Sequence, residues 1–213
     1  PVNTITGASP SYVSFDVTVK GRAAHAGVEP EKGLSAIRIA TELIQALPQG
    51  RLDEETTFNV GMISGGSARN AVPSEAVFKG EFRSRNVETL DLVKMQLVTA
   101  LEQARKKYQD ATIQEELDVL FHMYNLNPDD PIVRLTTGVM RDMGLTPNIR
   151  PSGGGTDANA MRLHGIDCVV VGMSTNEMHT VNEYVVIPDL MATARLCQNL
   201  NGAELKATLK EGG

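Results

Sequence analysis

The chain has 213 residues, a formal net charge of −6, 41% hydrophobic residues and 22% charged ones. That composition fits a globular protein of one large or two small domains and excludes a disordered chain. The acidic balance, with a pI near 5.3, argues against nucleic acid or an anionic membrane surface as partner, because both call for a basic field.

No apolar run approaches the ~18 residues of a membrane span. Residues 1–10 lack the basic and apolar regions of a signal peptide. Cys168 lies in an apolar run and Cys197 on a helical face, so both read as buried free thiols, which fits a reducing, cytoplasmic location. The sequence starts at Pro1, as a processed chain or a piece of a longer one would.

In chain order, Val13, Phe15, Val17 and Val19 alternate with Ser14, Asp16, Thr18 and Lys20, the period of a strand with one buried face. A turn carrying His25 follows. Pro30, flanked by Glu29 and Glu31, then opens a helix whose Leu34, Ile37, Ile44 and Leu47 share a face, and Pro48 and Gly50 end it. Phe58, Val60 and Met62 predict a second strand, and Ala76, Phe78 and Phe82 a third. A helix from about Val87 places Leu90, Val93, Leu97, Leu101, Ala104 and Tyr108 on one face. Ile113, Leu117, Val119 and Phe121 predict a fourth strand. The order βαββαβ predicts an α+β, ferredoxin-like sandwich, two helices on one antiparallel sheet.

Prolines and polar residues in YNLNPDDP, residues 124–131, mark a boundary. The expected domains are 9–123, and 1–8 with 124–213. In the second, Ile132, Leu135, Val139, Met140 and Met143 form a helical face closed by Gly144 and Pro147, and a short strand runs to Ile149. The glycine-rich SGGGTDANAMRLHG enters a short helix. IDCVVVGM, residues 166–173, has the pattern of a strand buried on both faces. From Pro188, a closing helix carries Leu190, Ala194, Cys197 and Leu200 on one stripe. This half is α/β.

Three places could carry chemistry. Small neighbours, Ala23, Ala24, Ala26 and Gly27, leave the His25 imidazole unshielded; it is either a solvated loop histidine or a group that meets something outside its domain. The loop at 152–157 could cradle a phosphate or carboxylate on consecutive N–H groups ahead of a helix, or be a plain tight turn. It has no P-loop lysine, which weighs against a phosphate-handling protein. His179, after the expected 166–173 strand, stands where α/β sheets put their sites; one histidine is a metal ligand or a capped loop residue, never a metal site by itself. His122 and His164 receive no role.

Taken in order, GRAAHAG (21–27), GGSARNAVPS (65–74), EFRSRN (81–86), SGGGTDAN (152–159) and MHTVNE (178–183) resemble the cocatalytic dinuclear-zinc peptidases, a family that includes peptidase T, glutamate carboxypeptidases, aminoacylase and allantoate amidohydrolase. The peptidase T-like branch is the nearest, and the likeness covers nearly the whole chain. It implies a ferredoxin-like lid, residues 9–123, inserted in an α/β catalytic domain, with lids pairing into a homodimer. It implies a peptide or acyl-amino-acid substrate and two zinc ions, with cobalt or manganese as substitutes. His25 would donate to the substrate oxyanion of the partner subunit. Asn70, Arg83, Gly153, Gly154, Gly155 and Thr156 would bind substrate, and His179 would be a zinc ligand.

The family's upstream motifs, an HxD pair, a bridging aspartate, paired glutamates and a further carboxylate, have no counterpart here. The resemblance therefore implies an incomplete catalytic domain and an inactive chain, and strand 56–63 is the expected pairing edge. The remaining alternative is a non-catalytic ferredoxin-like dimerisation or small-molecule-binding module.

Overall fold

The computed structural model describes residues 1–211, with side chains described through residue 203. The chain divides into a central unit, Pro10–Met123, and a flanking unit formed by Pro1–Ser9 and the chain from Tyr124 onward. The elements in chain order are β1 Thr4–Ser9, β2 Ser11–Lys20, a 3-10 turn Pro30–Lys32, α1 Ala36–Ala46, β3 Gly50–Arg51, β4 Thr56–Gly65, β5 Glu75–Ser84, α2 Val87–Lys107 and β6 Thr112–Phe121. After them come β7 Tyr124–Asn125, α3 Pro131–Asp142, β8 Asn148–Pro151, α4 Asp157–Leu163, β9 Thr175–Asn176, β10 Tyr184–Val185 and α5 Ile187–Glu211.

The central unit is one antiparallel sheet in the order β3-β4-β5-β2-β6, with α1 and α2 packed on its inner face. Leaving β3 aside, this is the ferredoxin-like order expected from βαββαβ, so the fold is α+β. Phe15, Phe58, Phe78 and Phe82 are all but fully buried. Their rings lie 5.2 Å apart for Phe15 and Phe58 and 5.8 Å apart for Phe58 and Phe82. Each such ring contributes about 1.5–3 kcal/mol by leaving water. Gly80 makes the cluster possible: it faces Phe15 across the β2–β5 ladder, and a Cβ there would meet the Phe15 ring and the Asn59 carbonyl oxygen, both at 2.3 Å.

Two bulges alter the expected faces. Between Val60 and Met62 the register against β5 slips by one residue at Gly61, so Ile63 comes opposite Phe78 and Met62 turns out to be 66% exposed. A slip between Val119 and Phe121 likewise moves Phe121 opposite Tyr12, the rings stacked at 5.4 Å, while Val119, still paired with Val13 on the edge strand, is half exposed. One inserted residue sends every later side chain to the other face. Along the expected pairing edge, the two-residue β3 covers β4 at Thr57 and Phe58 only.

Pro30 opens only a single 3-10 turn. The helix proper begins at Ala36, where the Ser35 hydroxyl accepts from the Arg38 N–H at 3.3 Å. Its buried face is Ala36, Ile39, Ala40 and Leu43, and Ile37 is partly exposed. In α2, Asn86 caps the first turn by accepting from the Thr89 N–H at 3.0 Å, and Val93, Leu97, Leu101 and Ala104 are buried as the spacing predicts.

In the flanking unit β1 pairs parallel with β8 and antiparallel with β7. Its core, Val2, Ile5, Val139, Met140 and Leu196, is small. Residues 166–173 are not the doubly buried strand expected. They meet β1 at one bridge, Ile5 to Val171; Val169 and Val171 pack on the small core, but Ile166 and Met173 are exposed, because a strand buried on both faces needs continuous paired neighbours and this one has a single bridge. Along α5 the stripe is Ala192, Leu196 and Leu200; Leu190, Ala194 and Cys197 face solvent. Cys197 is thus exposed and Cys168 half-buried, both as free thiols, rather than both buried.

Candidate functional site

The His25 turn is built by close backbone approach. A Cβ at Gly21 would lie 2.0 Å from the Leu34 carbonyl oxygen, so only glycine lets the chain leave β2 there. Arg22 and Leu34 then exchange backbone hydrogen bonds of 2.9 and 2.8 Å. The Val72 N–H donates to the Ala24 carbonyl at 2.9 Å and the Ala26 N–H to the Asn70 carbonyl at 2.9 Å, which bridges His25 to Ala71 in the β4–β5 connection. Val28 and Glu29 both donate to the His25 carbonyl. The backbone is pinned on both sides while the imidazole stays exposed.

The Gly27 N–H donates to His25 Nδ1 at 3.2 Å. A nitrogen that accepts carries no proton, so the neutral ring holds its hydrogen on Nε2, the outward nitrogen. The arrangement presents a single N–H donor on a fixed stalk. Asn70 is brought to the same place through its backbone, with its side chain exposed. Arg83 stands apart from this turn, on the outer sheet face: its Nε donates to Glu81 Oε2 at 2.9 Å and its guanidinium lies 4.5 Å over the Tyr12 ring.

In the flanking unit the glycine loop joins β8 to α4. The Ser152 N–H donates to the Ala8 carbonyl at 2.8 Å, the Gly154 N–H to Ser152 Oγ at 3.1 Å, and the Thr156 N–H to Asn159 Oδ1 at 2.9 Å. Two N–H groups expected to point at an anion are therefore engaged within the loop, and Gly153 and Gly155 are exposed. The residues that hold it, Ser9, Asn159 and Tyr124, are not among the site candidates legible in the sequence. Asn159 had a signal, the three-residue spacing from Thr156 that lets an N3 side chain accept from the N-cap N–H; Ser9 and Tyr124 had none. Burial raises the Tyr124 phenol above its usual range, partly offset by a hydrogen bond with the Thr156 side chain.

His179 lies in the connection between β9 and β10, which pair as a two-residue ladder, and not after a regular strand. Its φ is 67°, and Ser174 and Glu177 also have positive φ, 60° and 51°. Three non-glycine residues of left-handed backbone within six positions is a concentration of strain. The Glu183 carboxylate accepts from the His179 N–H at 2.9 Å and leaves the imidazole exposed. Among the described residues no three His, Cys, Asp or Glu side chains gather to hold a metal ion. His179 is at most one ligand of a set.

Residues 8–109 match the peptidase dimerisation domain of the M20 family. The chain carries the M20 peptidase dimerisation domain. Over 195 residues, 92% of this chain and 52% of the other, it is 34% identical to the protein YqjE of Bacillus subtilis. The aminopeptidase PepT of Bacillus cereus superposes with a TM-score of 0.83 at 34% identity, over 93% of this chain and 53% of that one. A tripeptidase of Staphylococcus aureus does so at 0.86 and 28%, with the same coverage. A Bacillus subtilis dinuclear metal-binding M20 peptidase shares the fold at 19% identity and a TM-score of 0.69, over 94% of this chain and 52% of that one. The chain spans about half the length of the curated relatives it matches. Among the described residues no helix is long and apolar enough to cross a membrane.

Proposed function

We propose that this chain is part of a cytoplasmic, peptidase T-like aminopeptidase that removes residues from short peptides or cleaves related acyl-amino-acid amides. Residues 9–123 are its lid and dimerisation domain, and residues 1–8 and 124–213 belong to its catalytic domain. The observation that carries this reading is the His25 turn, where Gly27 occupies Nδ1 and leaves Nε2–H as the exposed donor. In a homodimer paired through the lid, that donor serves the oxyanion forming in the partner's site. One such hydrogen bond, aimed where charge develops, is worth about 2.7–4 kcal/mol in the transition state.

The remaining roles follow the same scheme. Asn70 and Arg83 contact substrate from the lid, and Gly153, Gly154, Gly155 and Thr156 hold the substrate carboxylate or backbone. The reading calls for a dinuclear zinc centre, with cobalt or manganese as substitutes, to which this chain brings His179. Its described residues do not supply the other ligands. The test is release of the N-terminal residue from tripeptides by the whole protein. Turnover that stops on chelation and returns with zinc is expected. Turnover that ignores chelator, or its absence on every peptide and acyl-amino acid in the presence of zinc, cobalt or manganese, contradicts the reading.

A further inference from the structure

The chain passes between its units at Ser9–Pro10 and at Met123–Tyr124. Ser9 and Tyr124 face each other across the β1–β7 ladder, and both reach the glycine loop. Ser9 is fully buried, its hydroxyl 3.0 Å from the Gly154 carbonyl oxygen and 2.9 Å from Asn159 Oδ1. Both neighbours are acceptors, so the single hydroxyl proton is shared between them. Asn159 is buried as well, and the same Oδ1 takes the Thr156 N–H at 2.9 Å, which fixes which way the amide points. The Thr156 hydroxyl is 3.5 Å from that oxygen and interacts with the Tyr124 phenol, which itself donates to the Thr6 carbonyl of β1 at 3.5 Å.

We infer that Ser9 and Tyr124 are positioning residues that hold the 153–156 loop in its ligand-binding shape, Ser9 through Gly154 and Asn159, and Tyr124 through Thr156. This rests on the reading of that loop as the substrate segment. Three consecutive glycines have more backbone freedom to lose than any other tripeptide. A loop ordered before the ligand arrives spares that loss at the moment of binding. A buried serine hydroxyl supplies the order at small volume. Its removal takes a donor from the Gly154 carbonyl and leaves Asn159 Oδ1 with the Thr156 N–H in its place, at a position where Ser9 itself is fully buried.

The test is kinetic, in the whole protein. Ser9→Ala should raise KM about 10-fold and Tyr124→Phe about 3-fold, each leaving kcat within about twofold, because the reacting groups are untouched. Amide exchange at Gly154 and Thr156 should quicken in both. Leu196→Ala, a cavity in the core of the same unit, should lower Tm without moving KM, which separates positioning from bulk stability. Gly154→Ala tests the loop itself: its new Cβ would have Ser152 Oγ as nearest neighbour at 3.9 Å, so the chain accommodates it and a rise in KM reports the ligand's approach. If Gly154→Ala raises KM while Ser9→Ala and Tyr124→Phe do not, the positioning role is overturned and the loop's role stands. If Gly154→Ala leaves KM unchanged, the reading of the loop as substrate segment fails and the inference with it. Should Ser9→Ala not fold, KM and amide exchange in Tyr124→Phe decide: both unchanged overturns the inference, both raised supports it.

Discussion

The central unit rests on ten-residue strands and four packed phenylalanine rings, whereas the flanking unit rests on strands of two to six residues around a small cluster that includes Val2, Ile5, Val139, Met140 and Leu196. Both units expose large apolar side chains, Met173, Met178 and Val181 in the flanking one and Met62, Ile63, Leu92 and Met95 in the central one, so surface does not separate them. The contrast teaches where order resides. In the central unit the alternation of each strand and the helix it packs against specify the same face, so secondary structure and core reinforce one another. In the flanking unit short segments such as 166–173 depend on neighbours for their conformation, and its functional candidates sit on loops held by a few buried polar groups.

The largest expected effect tests the core of that contrast. Phe82→Ala should destabilise the central unit by about 3–5 kcal/mol, read by denaturant unfolding followed in that unit. A loss under about 1 kcal/mol would show the aromatic cluster to be loosely packed. His25→Ala should do the opposite, since its side chain is exposed: kcat of the whole protein falls about 100-fold or more, with unchanged midpoint and metal content. A drop in unfolding midpoint matching the drop in rate would make His25 a structural residue.

Asn86→Ala removes a single cap and should cost about 1 kcal/mol; no change would mean that packing alone holds the first turn of α2. The smallest effect is electrostatic. Hydrogen bonds from Lys107 and Tyr108 lower the Glu42 carboxyl below its usual value. A depressed folded-state pKa adds stability that is present above the unfolded pKa and lost as pH falls through the folded one. The wild-type central unit should therefore weaken slightly across the acid side of the usual carboxylate range, and Glu42→Gln should flatten that slope. Lys107 is exposed and Glu42 only partly buried, so salt should shrink the effect; identical pH profiles for the two proteins would remove Glu42 from the account.

Legibility in the sequence follows the same division. Val13 to Val19 and Val93 to Ala104 were readable because one face is apolar and the other polar over many residues. The bulge at Gly61 was not: the pattern Phe58, Val60, Met62 continues through it, and only the pairing with β5 shows the slip. Helix α5 was placed by periodicity, but three small or apolar residues can lie on either of two adjacent stripes, and Leu196 meeting the β1 core decided between them. Of the candidate site, His25 was visible because small residues surround it; Gly27 as partner of its Nδ1 was not, since a backbone N–H leaves no mark in sequence. Ser9 was equally silent, 145 residues from Gly154.

The central claim is that His25 serves the site of the partner subunit, and mixed dimers test it most directly. His25→Ala and His179→Ala should each be nearly inactive alone. When their subunits exchange, a site drawing His179 from its own chain and His25 from the other leaves one centre of each mixed dimer intact and puts both defects in the second. Activity should return to about half the wild-type rate per mixed dimer, one working centre of two. If His25 serves its own subunit, each centre keeps one defect, and mixed dimers that have demonstrably exchanged subunits stay as inactive as the parents, which would contradict the account.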